Sequence, residues 1–335
     1  MKNNSPIFSA PIHVHWELTH ICAFDCLQCY QREDRKRPIL SEKEHKTIAR
    51  KIIDGGVFQV TTTGGEPFSV PYLLELIEEF LNNNLTVRIT SSGAYLTDDI
   101  VKKIARLDVP VQISLDSNER DKHDFIRGKK GAYDIAINSI KTLKKYGVNV
   151  SMAFCAMNRN SSDLQGVVKL AHFLGVNQVL VGDVIQELQG LRSKIGMNYK
   201  EYNDFVNESI SIKEKYKEKV DVSLNFEWGF IVNDNVDHAP CSALDRDFSI
   251  FPDGDAYPCP FIRNPKYKIG NIIQQEIKDI WFSDLSQYFR RNKFLGCNAE
   301  ECNKYPICKS GCKASLANIG KPINQKDPKC ILYHK

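Results

Sequence analysis

The sequence has no stretch of roughly 18 consecutive apolar residues, the length that a membrane-spanning helix requires. Its opening residues, MKNNSPIFSAPIHVHWELT, lack the apolar core of a secretory signal. Both absences predict a cytoplasmic protein, in a compartment where thiols stay reduced. An excess of one charge is missing too: 45 Lys and Arg stand against 41 Asp and Glu, a net of +4. So mild and mixed a charge argues against nucleic acid or a membrane as partner. There is no internal repeat and no low-complexity tract. Cysteine is scarce by the standard of a disulfide scaffold, with eleven in 335 residues, and the count is odd. In a reduced compartment such cysteines point to metal.

What is present is a composition of 42% hydrophobic and 26% charged residues, enough to build a core. The length predicts a main catalytic domain, residues 12–215, and a smaller one, residues 216–335. The first two-thirds alternates short apolar strands with amphipathic helices. Strands are predicted at 13–18, 57–62, 86–90, 109–115, 148–154 and 178–182. Helices are predicted at 42–54, 72–83, 98–106, 133–146 and 162–174, the first opened by a capping box of Ser41 with Glu44. Repeated βα units predict a parallel sheet with active-site residues on the loops after the strands. Beyond about residue 215 this pattern breaks. The alternating charges of 212–220 read as a solvated helix face, Pro252-Asp253-Gly254-Asp255 as a tight turn between short strands, and 274–282 as a short helix. A region this poor in apolar periodicity needs staples, and its cysteines can supply them.

Cys22, Cys26 and Cys29 form C-x3-C-x2-C just after the first predicted strand. Three thiolates on one short loop can converge on a single metal or cluster. A cubane 4Fe–4S cluster normally takes four, so three leave one iron open for catalysis. A zinc site short of a ligand, or three unrelated buried thiols, are the other readings of that spacing. After the second strand comes Thr61-Thr62-Thr63-Gly64-Gly65-Glu66-Pro67. Paired glycines let a backbone approach a ligand closely, and Glu66 offers a carboxylate to an ammonium group.

The cysteine triplet and Gly64–Pro67 at successive strand ends closely resemble the radical S-adenosylmethionine (SAM) superfamily, over roughly residues 12–185. The resemblance implies an α/β fold, a partial (β/α)6 TIM-like barrel. It implies that the open iron chelates SAM through its amino and carboxylate groups. It further implies that Gly64, Gly65, Glu66 and Pro67 lie against the methionine amino group. One electron, from a donor such as flavodoxin or ferredoxin, then cleaves SAM to a 5′-deoxyadenosyl radical that abstracts hydrogen from substrate. Ser92, in Ser91-Ser92-Gly93, resembles the family's loop after the third strand. Ser114 and Asp116 resemble the segment that touches the SAM ribose, and Arg127 an arginine that reaches the SAM carboxylate. Gln28 departs from the pattern, which often has an aromatic residue just before the third cysteine; here Tyr30 follows it instead.

The remaining cysteines run C-x12-G-x4-C, a gap, C-x4-C-x5-C-x3-C, a gap, and C. This resembles the SPASM domain, a seven-cysteine module that holds auxiliary iron–sulfur clusters. Cys297 and Cys302 enclose four residues where the family usually has two, which reads as a loop insertion. The resemblance assigns Cys297, Cys302, Cys308 and Cys330 to an outer 4Fe–4S cluster and Cys241, Cys259 and Cys312 to an inner one. Relatives with a full ligand set have a further cysteine shortly before Cys241; here 233–240 has none, and Asp237 or His238 could serve, or the position could stay open. A zinc-stapled domain is the other reading of this region.

Two further residues complete the expectations. Cys155, ending the fifth strand, reads as a buried small side chain or as a hydrogen-atom donor that quenches a substrate radical. Asp183, just past the sixth, reads as a cap or as a group for substrate binding or proton transfer. SPASM relatives commonly modify peptides or proteins, so the resemblance implies a cross-link, oxidation or epimerisation in such a substrate. The first strand begins near residue 13, which leaves no room for an N-terminal leader-binding domain. The peptide is therefore expected to dock on the barrel and auxiliary domain or to be delivered by a separate leader-peptide-binding protein. The alternatives are a sugar or tetrapyrrole substrate and, in another class, a non-catalytic zinc or electron-transfer protein.

Overall fold

Alternation of apolar and polar residues at period two gives each barrel strand a buried face and a polar one. A computed structural model describes residues 7–184, 195–226, 228–233, 236, 241–327 and 330. Its strands β1 (His13–Glu17), β2 (Gln59–Thr63), β3 (Thr86–Ser91), β4 (Val111–Ser114), β5 (Val150–Ala156) and β6 (Gln178–Asp183) match the six predicted. The helices between them are α1 (Glu42–Asp54), α2 (Leu73–Asn82), α3 (Asp98–Leu107), α4 (Arg120–Arg127), α5 (Ala132–Lys145) and α6 (Leu164–Phe173). The capping box of Ser41 and Glu44 starts α1 as expected. Only α4 was not foreseen. It has eight residues, mostly charged, and buries little besides His123, Ile126 and Arg127.

All six strands run parallel in sequence order. Along β5, Val150, Met152, Phe154 and Ala156 are buried, while Ser151, Ala153 and Cys155 are partly open. The buried side packs against helix residues such as Phe80, Ile104, Ile140 and Val167 in one apolar cluster. Each such apolar side chain contributes about 1.5–3 kcal/mol when fully buried. The other side is hydrophilic: Thr61, Arg88, Thr90, Gln112, Ser114 and Ser151 occupy it. It is therefore a polar lumen rather than the filled interior of a closed barrel.

The C-terminal third joins the same sheet. Helix α7 (Tyr199–Tyr216) precedes β7 (Asp221–Asn225), which pairs in parallel with β6. The boundary drawn at 215/216 from the loss of periodicity thus precedes a strand that belongs to this sheet. β7 buries only Val222 and Leu224, too few apolar positions to read as a strand. At the other edge, β8 (Asp247–Ile250) pairs in parallel with β1, and β9 (Asp255–Tyr257) and β10 (Gly270–Asn271) follow antiparallel. The order is β10-β9-β8-β1-β2-β3-β4-β5-β6-β7. The turn at Pro252-Asp253-Gly254-Asp255 joins β8 to β9 as predicted, and the short helix is Ile277–Trp281. No helix among the described residues is long and apolar enough to cross a membrane.

Candidate active site and cluster-binding cysteines

The loop after β1 carries Cys22, Cys26 and Cys29, and two neighbouring loops clamp it. On one side the N–H groups of Gly65 and Glu66 donate to the carbonyls of Thr19 and Ile21, at 2.6 and 2.7 Å. A Cβ on Gly65 would stand 2.3 Å from the Ile21 carbonyl oxygen, so only glycine permits this contact. The paired glycines thus serve close approach to the cysteine loop itself. On the other side, Asp25 and Leu27 donate their N–H groups to the carbonyls of Arg127 and Ile126 at the end of α4. Gly128, in a left-handed conformation at φ 61°, has its missing Cβ 2.3 Å from the Asp25 carbonyl oxygen. Sequence reasoning missed Gly128; a glycine closing a short polar helix was its only signal.

Glu66 is fully buried, and its carboxylate is committed to the protein. The Ser92 N–H and hydroxyl donate to Oε2 at 2.8 and 2.5 Å, and the Ser91 hydroxyl and Phe68 N–H to Oε1 at 2.7 and 3.3 Å. Burial raises its pKa, and these four donors oppose the shift. Read in the sequence as a partner for an ammonium group, the Glu66 side chain here braces the loop after β2 to the loop after β3. Pro67 starts the short 3-10 turn that follows.

Asp116 is the hub on the other side of the cysteine loop. It is fully buried; Oδ2 accepts Gln28 Nε2 at 2.7 Å and pairs with Arg127 at 2.8 Å, while Oδ1 accepts the Cys155 N–H at 3.0 Å. Burial works against the charge of Arg127, but Asp116 and Cys26 hold its pKa above the ordinary value. Its Nη1 reaches Cys26 Sγ at 3.7 Å. Gln28, the departure from the family pattern, therefore has a structural use. Tyr30 turns the other way, to Phe261 and the guanidinium of Arg263. Arg263 in turn forks onto the buried Glu17 at the end of β1, an ion pair that the sequence did not announce.

Cys155 lies on the lumen face of β5, the same face as Ser114 by the β4–β5 register, and packs against a small apolar cluster of Ile126, Met157, Val184 and Ile195. Asp183 does not join it. In the β5–β6 register Asp183 is opposite Ala156, on the helix-covered face, while Gly182 is opposite Cys155. The pleat thus places Asp183, read from the sequence as a cap or as a group for substrate binding or proton transfer, on the other face from Cys155. Reading the strand one residue short left its last side chain unassigned to a face.

In the C-terminal region, Cys297, Cys302, Cys308 and Cys330 line a single cavity with Trp228, Tyr305 and Asp327. These are the four that the SPASM resemblance assigns to the outer cluster. Cys259 and Cys241 lie in one another's field, and burial pushes the Cys259 thiol up to about 12. Lys313, buried beside Cys312, donates from Nζ to the Ser310 carbonyl at 2.7 Å. Burial lowers its pKa against the pull of Cys241, Asp327, Cys312 and Cys297, so its charge is felt by both cysteine sets. Asp237 and His238 lie outside the described residues.

Three observations test whether these cysteines fit iron–sulfur clusters. All eleven are free thiols. Backbone N–H groups just downstream donate to a sulfur in each set: Phe24 to Cys22, Phe261 and Ile262 to Cys259, Ser310 and Gly311 to Cys308. Burial pushes the Cys22 thiol up to about 11 and Cys308 up to about 12, and these donors favour the thiolate that a metal takes. Among the described residues, no three cysteine sulfurs lie within 4.8 Å of one another. A tetrahedral zinc ion with bonds of about 2.3 Å needs them closer, whereas in a four-iron cluster each thiolate binds a different corner. The donor set fits clusters.

A parallel partial barrel with a three-cysteine loop beyond β1 and a seven-cysteine appendage defines a class of cluster-dependent enzymes. Comparison with known families agrees. The profile of the radical SAM superfamily matches residues 16–171, and that of SPASM, an iron-sulfur cluster-binding domain, matches residues 241–313. The chain belongs to the radical SAM superfamily and carries a SPASM domain. It is an enzyme whose cofactors are SAM and 4Fe–4S clusters. Its relatives include the mycofactocin maturase MftC of Mycobacterium tuberculosis, 26% identical over 97% of this chain and 84% of that protein. The PqqA peptide cyclase of Gluconobacter oxydans is 24% identical over 97% of this chain and 92% of that protein. Among solved structures, Streptococcus suis SuiB bound to S-adenosylmethionine superposes with a TM-score of 0.81 at 19% identity, over 97% of this chain and 78% of that one. These coordinates share the fold.

Proposed function

We propose that the protein is a cytoplasmic peptide-modifying enzyme that introduces a cross-link, oxidation or epimerisation into a peptide or protein substrate. The observation that carries this reading is the polar lumen, half-open and lined by Thr61, Thr90, Gln112, Ser114 and Ser151, which suits a polyamide chain better than an apolar ligand. The relatives support it: two are named a maturase and a peptide cyclase, and SuiB has also been solved with its precursor peptide SuiA. They favour a peptide over a sugar or tetrapyrrole.

In this reading Cys22, Cys26 and Cys29 hold the catalytic cluster. Cys297, Cys302, Cys308 and Cys330 hold one auxiliary cluster; Cys241, Cys259 and Cys312 hold the other. Together the catalytic cluster and SAM, when bound, supply a carbon-centred radical that takes hydrogen from the substrate. The backbone of Gly64–Pro67, with Ser92, Ser114, Asp116 and Arg127, lines the approach to that cluster and orients SAM. Arg127 carries the positive charge there and Asp116 holds it in place. Cys155 faces the lumen, where its S–H can return a hydrogen atom to a substrate carbon; the thiyl left behind then needs an electron and a proton. A flavodoxin- or ferredoxin-type donor supplies electrons, and a separate leader-binding protein delivers the peptide.

The test is mass spectrometry of candidate peptides incubated with reconstituted enzyme, SAM and reductant. A peptide-dependent rise in 5′-deoxyadenosine with a mass or stereochemical change in the peptide is expected. Cleavage of SAM that no peptide stimulates, but a small molecule does, would overturn the peptide reading. Cys155→Ser separates the donor role: product should fall at least about tenfold while SAM cleavage continues. Unchanged product would return Cys155 to packing.

A further inference from the structure

At the opposite end of β1 from the cysteine loop, a second group of metal-ligating side chains stands apart from the chemistry above. His13 and His15 sit two residues apart on β1, hence on one face, with ring centroids 4.1 Å apart and planes tilted by 56°. Asp247 opens β8 directly opposite His13 in the parallel register, so its side chain joins that face. One ligating atom from each of the three lies within 4.8 Å of the other two. We propose that His13, His15 and Asp247 bind one divalent transition-metal ion, of which zinc is the test case, and that the ion ties β8 to β1.

The chemistry of the donors selects the ion. Two imidazoles and one carboxylate suit zinc or ferrous iron, whereas calcium and magnesium prefer oxygen alone. A second layer holds the ligands. His13 Nε2 meets the Thr61 hydroxyl at 2.9 Å, which leaves the other ring nitrogen for a metal when Nε2 carries the proton. Ser242 hydrogen-bonds to Asp247. Both rings lose charge readily: burial lowers the pKa of His13 and of His15 to about 4, so at neutral pH no proton has to leave before a metal enters. Lys293, whose charge also acts on Asp247, is engaged by Asp245 at 2.8 Å and by the Ala243 and Cys241 carbonyls at 2.7 and 3.1 Å. Three protein ligands leave a fourth position toward the lumen for water.

The placement gives the site a purpose. β8 is the strand through which the cysteine-rich region joins the barrel sheet, and β1 is the strand that leads into the catalytic cysteine loop. His13 lies about 13 Å along β1 from Glu17, where Arg263 makes the other tie to that region. The proposed ion and the Glu17–Arg263 pair therefore pin the two edges of one seam.

The experiment uses anaerobically reconstituted enzyme, with cluster thiols occupied, exposed to one equivalent of zinc and desalted. Elemental analysis should find about one zinc per chain, and zinc K-edge absorption should show a nitrogen and oxygen shell near 2.0–2.1 Å. His15→Gln and Asp247→Asn should each lower retained zinc at least about tenfold at unchanged iron content. A wild-type protein that retains no zinc, or holds it in a sulfur shell near 2.3 Å, overturns the proposal whatever the variants do. So does equal retention by variants that keep their iron.

Discussion

The two cysteine-bearing regions are built on different principles. Around Cys22, Cys26 and Cys29 protein contacts build the scaffold: main-chain bonds with Gly65, Glu66, Arg127 and Ile126 fix the loop, and Tyr30 packs against Arg263. Around Cys297, Cys302 and Cys308 there is little else. None of residues 294–309 is buried, and the helix there, Tyr305–Cys308, has four residues, whereas the next, Lys313–Asn318, is buried against the core. A helix of four residues is not stable alone. In the proposed reading the first region positions a cluster for chemistry, and the second depends on its cluster for shape, as small metal-stapled domains do.

The largest expected effect comes from removing metal from the region that does not need it to fold. Replacing Cys22, Cys26 and Cys29 together with Ala should lower 5′-deoxyadenosine formation at least about 10³-fold, because the cofactor carries the chemistry. Auxiliary-cluster absorbance and the thermal midpoint of the barrel should stay close to wild type. Undiminished SAM cleavage would sink the assignment of the triplet. Loss of the barrel fold would sink the comparison.

The converse variant is smaller in turnover and larger in structure. Cys308→Ala removes a thiolate from the outer set, and backbone amides of 294–318 should exchange faster, with local stability down by several kcal/mol. Amides of β2 to β5 should be unchanged. Exchange that accelerates equally throughout would mean that the two regions fold as one unit. Unchanged exchange in 294–318 would mean that its few contacts suffice.

The same contrast explains what was legible in the sequence. Six strands and five helices of the barrel could be read because each pairs an apolar face with a regular period. The cysteine triplet and Gly64–Pro67 could be read because they are contiguous. Long-range partners could not: Glu17 with Arg263, or Gln28 with Asp116, are separated by up to 246 positions, and nothing local marks them. β7 escaped because two buried residues in five carry too little pattern. Asp183 had no assigned face because the strand was read one residue short, and in strands the face alternates with every residue. His13 and His15 drew no notice because Asp247 completes their cluster only through the β1–β8 pairing.

The smallest effect is an acid sensitivity confined to the barrel, and His123 on α4 measures it. Its ring is buried, and Nδ1 accepts the Asp116 N–H at 3.1 Å, which requires that nitrogen to be unprotonated. Burial, then the nearby Arg127, lowers its pKa to about 4, against the weaker opposing pull of Asp116 and Asp124. Unfolded, the imidazole titrates near 6.5, so between about pH 6.5 and 4 the unfolded chain binds more protons than the folded one. Stability from this group is therefore complete above about 6.5 and is lost as pH falls toward 4, by about 3 kcal/mol at most. His123→Asn keeps an acceptor for the Asp116 N–H but cannot take up the proton. Its denaturant midpoint at pH 8 should lie close to wild type, and it should fall less than wild type between pH 6.5 and 4.5. His13, His15 and His45, also lowered to about 4 by burial, keep a residual slope in both proteins. Equal slopes would show that His123 titrates near its ordinary value and that its bond to Asp116 does not hold α4. A flatter slope in the variant, with exchange in 294–318 unchanged across the same pH range, locates the acid-labile contact beside Arg127 and leaves the cysteine-stapled region to depend on metal.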